Sequence, residues 1–200
     1  MNLVLDFGNT TQKMAIFNGK EELDFVRQNI LMHKDIVSFV NKNKKYGLKN
    51  AILASVVPIE SQISLFLEAN FNFLSFDIQT PIPIVNKYQT PHTLGVDRLA
   101  AAIGANALFP KNDILIIQMG SCITYDFVNA HAEYMGGSIS PGLMMRLNAL
   151  NLFSAQLPLV NPQWTDRLLG DSTETSILTG VMQGIIDECI GKIERYKKIY

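Results

Sequence analysis

Cysteine is nearly missing from this chain. Its 200 residues hold only Cys122 and Cys189, which excludes a disulfide framework and any CxxC metal site. Such sparse use suits a reducing compartment. An excess of charge of one sign is also lacking: 17 basic against 18 acidic residues leave a net charge of −1. That balance gives no electrostatic footprint for nucleic acid or an anionic membrane surface. The densest basic stretch, Lys42-Asn43-Lys44-Lys45 with Lys49, is short and interleaved with Asn and Gly, and reads as a solvated helix end or loop. The three histidines, His33, His92 and His131, fall in no metal-ligand spacing. Long apolar runs are absent too. No segment approaches the roughly 20 apolar residues that a membrane crossing needs. Only a few apolar residues precede Asp6, too few for a signal-peptide core. The expectation is a cytoplasmic globule without nucleic-acid or membrane partners, large enough for one or two small domains with a sizeable core.

What the chain does have is one design used twice. Leu3-Val4-Leu5 runs into Asp6-Phe7-Gly8-Asn9-Thr10, and Leu115-Ile116-Ile117 runs into Gln118-Met119-Gly120-Ser121, with Thr124 and Asp126 close behind. Each copy reads as a buried strand, a glycine turn with a small hydroxyl residue, and a second strand. Glycine lets the backbone come close to a phosphate, while hydroxyls and turn amides donate to its oxygens. Two such hairpins facing each other would clamp a nucleoside triphosphate between related domains.

The remaining pattern is α/β. Lys13–Phe17 alternates before the Asn18-Gly19 hairpin signal, and Asp24–Gln28 adds a further strand. Helical spacing covers Lys34–Lys42, and Ala51–Val57 is a short continuous apolar run suited to a buried parallel strand. A helix over Glu60–Glu68, a strand near Phe73–Phe76 and a proline-rich loop over Gln79–His92 follow. An alanine-rich helix then spans Asp97–Leu108, and the division between the halves falls around Phe109–Asp113. Beyond it, strands are expected at Leu115–Ile117, Ile123–Val128 and Tyr134-Met135, interrupted by Gly136-Gly137 and Pro141-Gly142, with a helix over Leu143–Phe153. Asp171-Ser172-Thr173-Glu174 has capping-box spacing, with Asp171 as N-cap and Glu174 reaching back. Ile177, Val181, Ile185, Cys189 and Ile193 mark one apolar stripe of a long last helix. Gly180 and Gly184, four apart on it, suit close helix packing, within the chain or across a dimer.

The duplicated hairpin resembles the fold of actin, sugar kinases and heat-shock chaperones, in which nucleotide lies between two related α/β domains. Four further segments narrow the resemblance. Asn86-x-Tyr88-x-x-Pro91-x-x-Leu94-Gly95-Val96-Asp97-Arg98 looks like the substrate segment of type III pantothenate kinases. Gly136-Gly137-x-Ile139-x-Pro141-Gly142, Gln156-Leu157-Pro158-x-Val160, and Ser172-Thr173 with Gly180 fall where that family has its later motifs. The order is kept from Met1 to the last helix. A lone DxGNT or GxDR carries little weight; several in one order carry much. The resemblance implies an α/β protein of two ATPase-like domains, 1–110 and 111–200, each opening with a strand–glycine turn–strand phosphate hairpin. It implies ATP-dependent phosphorylation of pantothenate to 4'-phosphopantothenate, the first step of coenzyme A biosynthesis, by a homodimer.

The resemblance also assigns residues. Asp6, Phe7, Gly8, Asn9, Thr10, Thr11, Gln12, Lys13, Gly120 and Ser121 would meet ATP. Asp6 at a strand end would hold Mg²⁺, directly or through water, since a hard cation prefers carboxylate and water oxygens. Tyr88, Gly95, Val96, Asp97, Arg98 and Thr173 would meet pantothenate, an anion with hydroxyls and an amide for which guanidinium, phenol and hydroxyl are suitable partners. Asp97 would be the catalytic base. A carboxylate is a weak base for an alcohol, but in a loose phosphoryl-transfer transition state the proton leaves late and orientation dominates. Read without the resemblance, Asp97 caps a helix, Arg98 is a surface charge, Thr173 belongs to a first helical turn, and the first hairpin is an ordinary turn with an Asp-Asn pair. Cys122 reads as a small buried apolar residue.

Three departures stand out. Gln118 occupies the position of a family aspartate that helps bind a monovalent cation, K⁺ or NH₄⁺, so that site is in doubt here. Ser121 stands where the family has threonine. The family usually continues past the last helix with a strand, a glycine pair and a helix near the adenine, which implies a shortened sequence or an incomplete nucleotide pocket. These departures keep open a second reading, a catalytically impaired nucleotide- or pantothenate-binding regulatory protein of the same fold.

Overall fold

The computed structural model describes residues Met1–Tyr200. Its contacts divide the chain into two compact units, Met1–Pro83 with Tyr88–Gly104, and Ile84–Lys87 with Ala105–Tyr200. No helix is long and apolar enough to cross a membrane.

The first unit is built on a five-stranded sheet of order β3-β2-β1-β4-β5. β1 is Asn2–Phe7, β2 Gln12–Asn18, β3 Glu21–Gln28, β4 Asn50–Ser55 and β5 Asn72–Phe76. β1 pairs antiparallel with β2 and parallel with β4, so the hairpin strand lies at the centre of the sheet. Alternation gives β1 two different faces. Leu3, Leu5 and Phe7 are buried together with Ile36 and Phe39 of α1 (His33–Lys42) and Ile63 and Leu67 of α2 (Ser61–Asn70). Asp6 therefore projects from the opposite face, at the carboxyl end of its strand. The Asn18-Gly19 signal marks the two-residue turn from β2 to β3, with Gly19 at φ 59°.

The second unit carries a four-stranded sheet of order β6-β9-β8-β7. These strands are Val85–Asn86 (β6), Ile114–Met119 (β7), Cys122–Val128 (β8) and Glu133–Pro141 (β9). Ile123 and Tyr125 of β8 are buried with Leu147 of α4 (Leu143–Leu152) and with Ile177, Leu178, Val181 and Ile185 of α5 (Thr173–Ile199). Ile177, Val181 and Ile185 of the expected stripe thus pack and Cys189 joins this core from its edge, while Ile193, a turn further on, lies outside it. α3, Val96–Leu108, runs from the first unit into the second.

Four local expectations are corrected. Gly136-Gly137 does not break the strand, because β9 continues through both glycines to Pro141. The pairing jumps from Phe127↔Gly136 to Val128↔Tyr134, leaving Met135 as the extra residue of a bulge, and Gly136 takes the positive φ of 96° that the bulge demands. The Gln79–His92 loop is not wholly irregular, since β6 within it pairs parallel with β9. The last helix is capped by Ser172, not Asp171: the Ser172 hydroxyl accepts from Thr175 N–H at 3.2 Å, and the Thr175 hydroxyl lies 2.8 Å from Ser172 N–H. Asp171 instead accepts from the Thr175 hydroxyl, and that bond with Arg167 nearby lowers its pKa. Cys122 is only half-buried, because it opens β8 beside the turn rather than inside the core.

Candidate active site

The first hairpin places its polar side chains by strand register. Asp6 and Lys13 are direct cross-strand partners, and Lys13 Nζ donates to Asp6 Oδ2 at 2.8 Å. The turn between them is closed by Gly8 N–H donating to Thr11 C=O at 3.1 Å. Asn9 and Thr10 stand exposed at its tip. Two neighbours are committed elsewhere. Phe7 is 2% exposed, so its ring belongs to the core and only its backbone borders the turn. Gln12 Oε1 accepts from Leu31 N–H at 2.6 Å, which ties β2 to the segment after β3.

Asp6 satisfies the chemistry of a Mg²⁺ ligand. Its carboxylate is about two-fifths exposed (39%), so an ion there retains room for water and phosphate oxygens. No group of three His, Cys, Asp or Glu side chains comes together to cage a metal, so a hard ion would share its shell with a phosphate.

The second hairpin is tighter. Gly120 N–H donates to Cys122 C=O at 2.9 Å, and Gly120-Ser121 forms the turn between β7 and β8. Gln118 opposes Thr124, whose hydroxyl lies 3.4 Å from Gln118 Oε1. Both side chains project from the sheet face opposite Ile117 and Ile123, as Asp6 does in its own sheet. The amide carbonyl of Gln118 thus faces Thr124, with its NH₂ end turned away. Asp126 is fully buried and accepts from the Tyr134 hydroxyl at 2.6 Å, a structural pairing rather than a place for a phosphate.

One contributor escaped the sequence reading. Gly142, the N-cap of α4, lies against the second turn: its N–H donates to Ser121 C=O at 3.0 Å. A Cβ there would stand 2.2 Å from Gly120 O and 2.5 Å from Ser121 O, so no other residue fits without moving the turn. The amino end of α4 is thereby held against the Gly120-Ser121 turn, where helix polarity favours an anion. Pro141-Gly142 directly ahead of a helical run was the available signal.

Asp97 and its neighbours form the start of α3. Asp97 Oδ1 accepts from Arg98 N–H at 2.8 Å, bending the carboxylate back over Gly95. A Cβ on Gly95 would meet that oxygen at 2.5 Å, so the missing side chain is what leaves room for it. Arg98 is not a surface charge: it is 6% exposed, with its guanidinium 5.8 Å from the Tyr88 ring centroid. A cation over an aromatic face explains part of how that charge tolerates burial. Val96 opens the helix. Thr173 is the first residue of α5, exposed, and leaves the capping to Ser172.

Behind the second hairpin lies a polar network. Arg146 and Ser140 both bond the Glu188 carboxylate, the serine at 2.6 Å. The Tyr125 hydroxyl is 3.3 Å from Cys189 Sγ. Burial first, then bonding with Cys189 and Glu188, pushes the Tyr125 phenol far above its usual range. Burial pulls Glu188 upward, but bonds from Ser140, Arg146 and Tyr125 outweigh it and leave the carboxyl lowered. The network fixes β8, β9, α4 and α5 together behind the turn.

Comparison with known proteins joins these features. The type III pantothenate kinase family matches residues 2–195. A type III pantothenate kinase of Phocaeicola vulgatus is 41% identical over 201 positions, covering 100% of this chain and 82% of its own length. That of Christiangramia forsetii is 42% identical over 198 positions, covering 98% of this chain and 80% of its own. A solved Campylobacter jejuni protein, described as a conserved, provisionally assigned Baf family transcriptional activator, shares the fold. Its TM-score is 0.54 at 22% identity, over 92% of this chain and 75% of that one. With matching motifs in one order, two hairpins and a match that spans nearly its whole length, the chain belongs to the type III pantothenate kinase family.

Proposed function

We propose that this protein transfers the γ-phosphoryl group of ATP to the primary hydroxyl of pantothenate, giving 4'-phosphopantothenate for coenzyme A synthesis. The observation that carries this reading is the family match over residues 2–195. Kinase families in general use ATP with a divalent metal, and such transfer needs positioning and charge neutralisation more than covalent chemistry from the protein. Residues 1–110 and 111–200 act as the two ATPase-like domains. The turns at Gly8 to Lys13 and Gly120-Ser121 supply tip amides, hydroxyls and one ammonium for the phosphates, while the Gly8 and Gly120 N–H groups close the turns themselves. Asp6 would hold Mg²⁺, which when bound screens the phosphate charge. Tyr88, Gly95, Val96 and Arg98 orient pantothenate, the buried Arg98 offering charge to its carboxylate, and Thr173 is a further proposed contact. Asp97 takes the hydroxyl proton on its carboxylate as the phosphoryl group arrives. The protein acts as a homodimer.

The test is ADP release by purified protein with ATP and Mg²⁺, measured with and without pantothenate. Release that depends on pantothenate is expected. Nucleotide or pantothenate binding without turnover would favour the impaired, regulatory reading, and turnover with another alcohol instead would overturn the substrate.

A further inference from the structure

We infer that Lys13 is an exchangeable counter-cation for Asp6, which it holds until a nucleotide arrives and then leaves for the phosphates, so that metal and nucleotide binding are coupled. The inference rests on the proposed phosphate-binding role of the hairpin. Three observations carry it. Register makes Asp6 and Lys13 cross-strand partners on one sheet face, which brings the ammonium within reach of the carboxylate. The contact is a direct one of 2.8 Å, made to the oxygen Oδ2 of the side chain best suited to Mg²⁺. Both side chains remain partly exposed, at 40% and 39%, so the pair is screened by water and easily exchanged.

A divalent ion approaching the free protein meets a carboxylate that is already neutralised, with a positive charge beside it. A polyphosphate changes that balance. It offers the flexible lysine several anionic oxygens near the Gly8 turn, and the departure of Nζ uncovers Asp6 for the ion that the phosphate brings along. Each ligand thereby favours the other, as linkage between two sites requires. The protein would take up metal and nucleotide together rather than bind free metal first.

Manganese titration followed by electron paramagnetic resonance, without nucleotide, tests this apart from turnover. Removing the competing ammonium in Lys13→Met should tighten Mn²⁺ binding by roughly three- to tenfold, the scale set by an exposed ion pair and one unit charge beside a divalent ion. Lys13→Gln, which keeps a polar side chain on β2, should behave alike, and circular dichroism checks that both variants are folded. Adding Asp6→Asn to either should abolish the gain. Equal or weaker Mn²⁺ binding in both Lys13 variants, or a gain that survives Asp6→Asn, overturns the exchange. No gain in either Lys13 variant, with wild type releasing ADP in response to pantothenate, refutes the exchange alone, whereas a gain that Asp6→Asn abolishes, with no pantothenate-dependent ADP release by wild type, upholds the exchange and refutes the kinase reading.

Discussion

Asp97 can serve as proton acceptor, helix cap or both, and the structure allows the roles to be separated by choice of substitution. Its Oδ1 accepts from Arg98 N–H at 2.8 Å in the first turn of α3. Asn keeps an oxygen in that place, so Asp97→Asn loses only the favourable placing of a negative charge at a helix start, about 0.3–1 kcal/mol. For a chain of this size about 1 kcal/mol moves the melting temperature by roughly 2–4 °C, so the Asn variant should melt almost with wild type. Ala removes the hydrogen bond as well, at a further cost of about 1 kcal/mol. If the group only caps, activity should follow stability: the Asn variant keeps turnover and the Ala variant loses a little. If the carboxylate takes the hydroxyl proton, both variants should lose about 10²–10⁴-fold in kcat, with KM for ATP little changed. Coupled ADP release with saturating pantothenate gives kcat, and thermal melts give the control. Near-normal turnover by Asp97→Asn, with an unchanged melt, would refute the catalytic assignment and leave a helix cap.

Three other outcomes follow from named contacts. Gln118 offers a cation one neutral carbonyl, and here that oxygen faces Thr124; turnover should depend weakly or not at all on K⁺ or NH₄⁺, and Gln118→Asp should bring the dependence back. Strong dependence in wild type would make Gln118 a tolerated ligand, while an inactive wild type rescued by Gln118→Asp would favour the impaired reading. A homodimer should appear by light scattering at micromolar concentration: Leu152, Phe153, Trp164, Leu168 and Leu169 are 75%, 85%, 69%, 82% and 81% exposed near α4 and α5, and a monomeric mass would count against pairing there. Glu188 is held below its ordinary 4.5, so its contribution to stability is present above that value and lost as pH falls through the lowered one. Glu188→Gln should therefore cost stability most at neutral pH, with the gap in urea midpoint closing below pH 4.5; a constant gap would deny the linkage.

Residue order alone carries the α/β class, the two hairpins and the family. Those signals are local: apolar runs of strand length, glycine turns, and motifs whose order survives without coordinates. It also determined the apolar stripe of α5, since helical spacing fixes which side chains share a face. Exact caps and interruptions were less legible, because several residues compete for one hydrogen bond. Ser172 and Asp171 both suit an N-cap, and only the path of the chain gave the place to Ser172. Gly136-Gly137 looks like a break until pairing with β8 absorbs Met135 as a bulge. Burial of Arg98 was invisible because charge predicts exposure unless a partner such as the Tyr88 ring is brought near, and that pairing spans ten positions that include a loop and the start of α3. The Lys13–Asp6 contact and the seat of Gly142 on the Gly120-Ser121 turn are likewise tertiary facts. Strand register and the packing of α4 decided them, because contacts across a sheet or onto a turn depend on which segments meet in space, and no local propensity encodes that meeting.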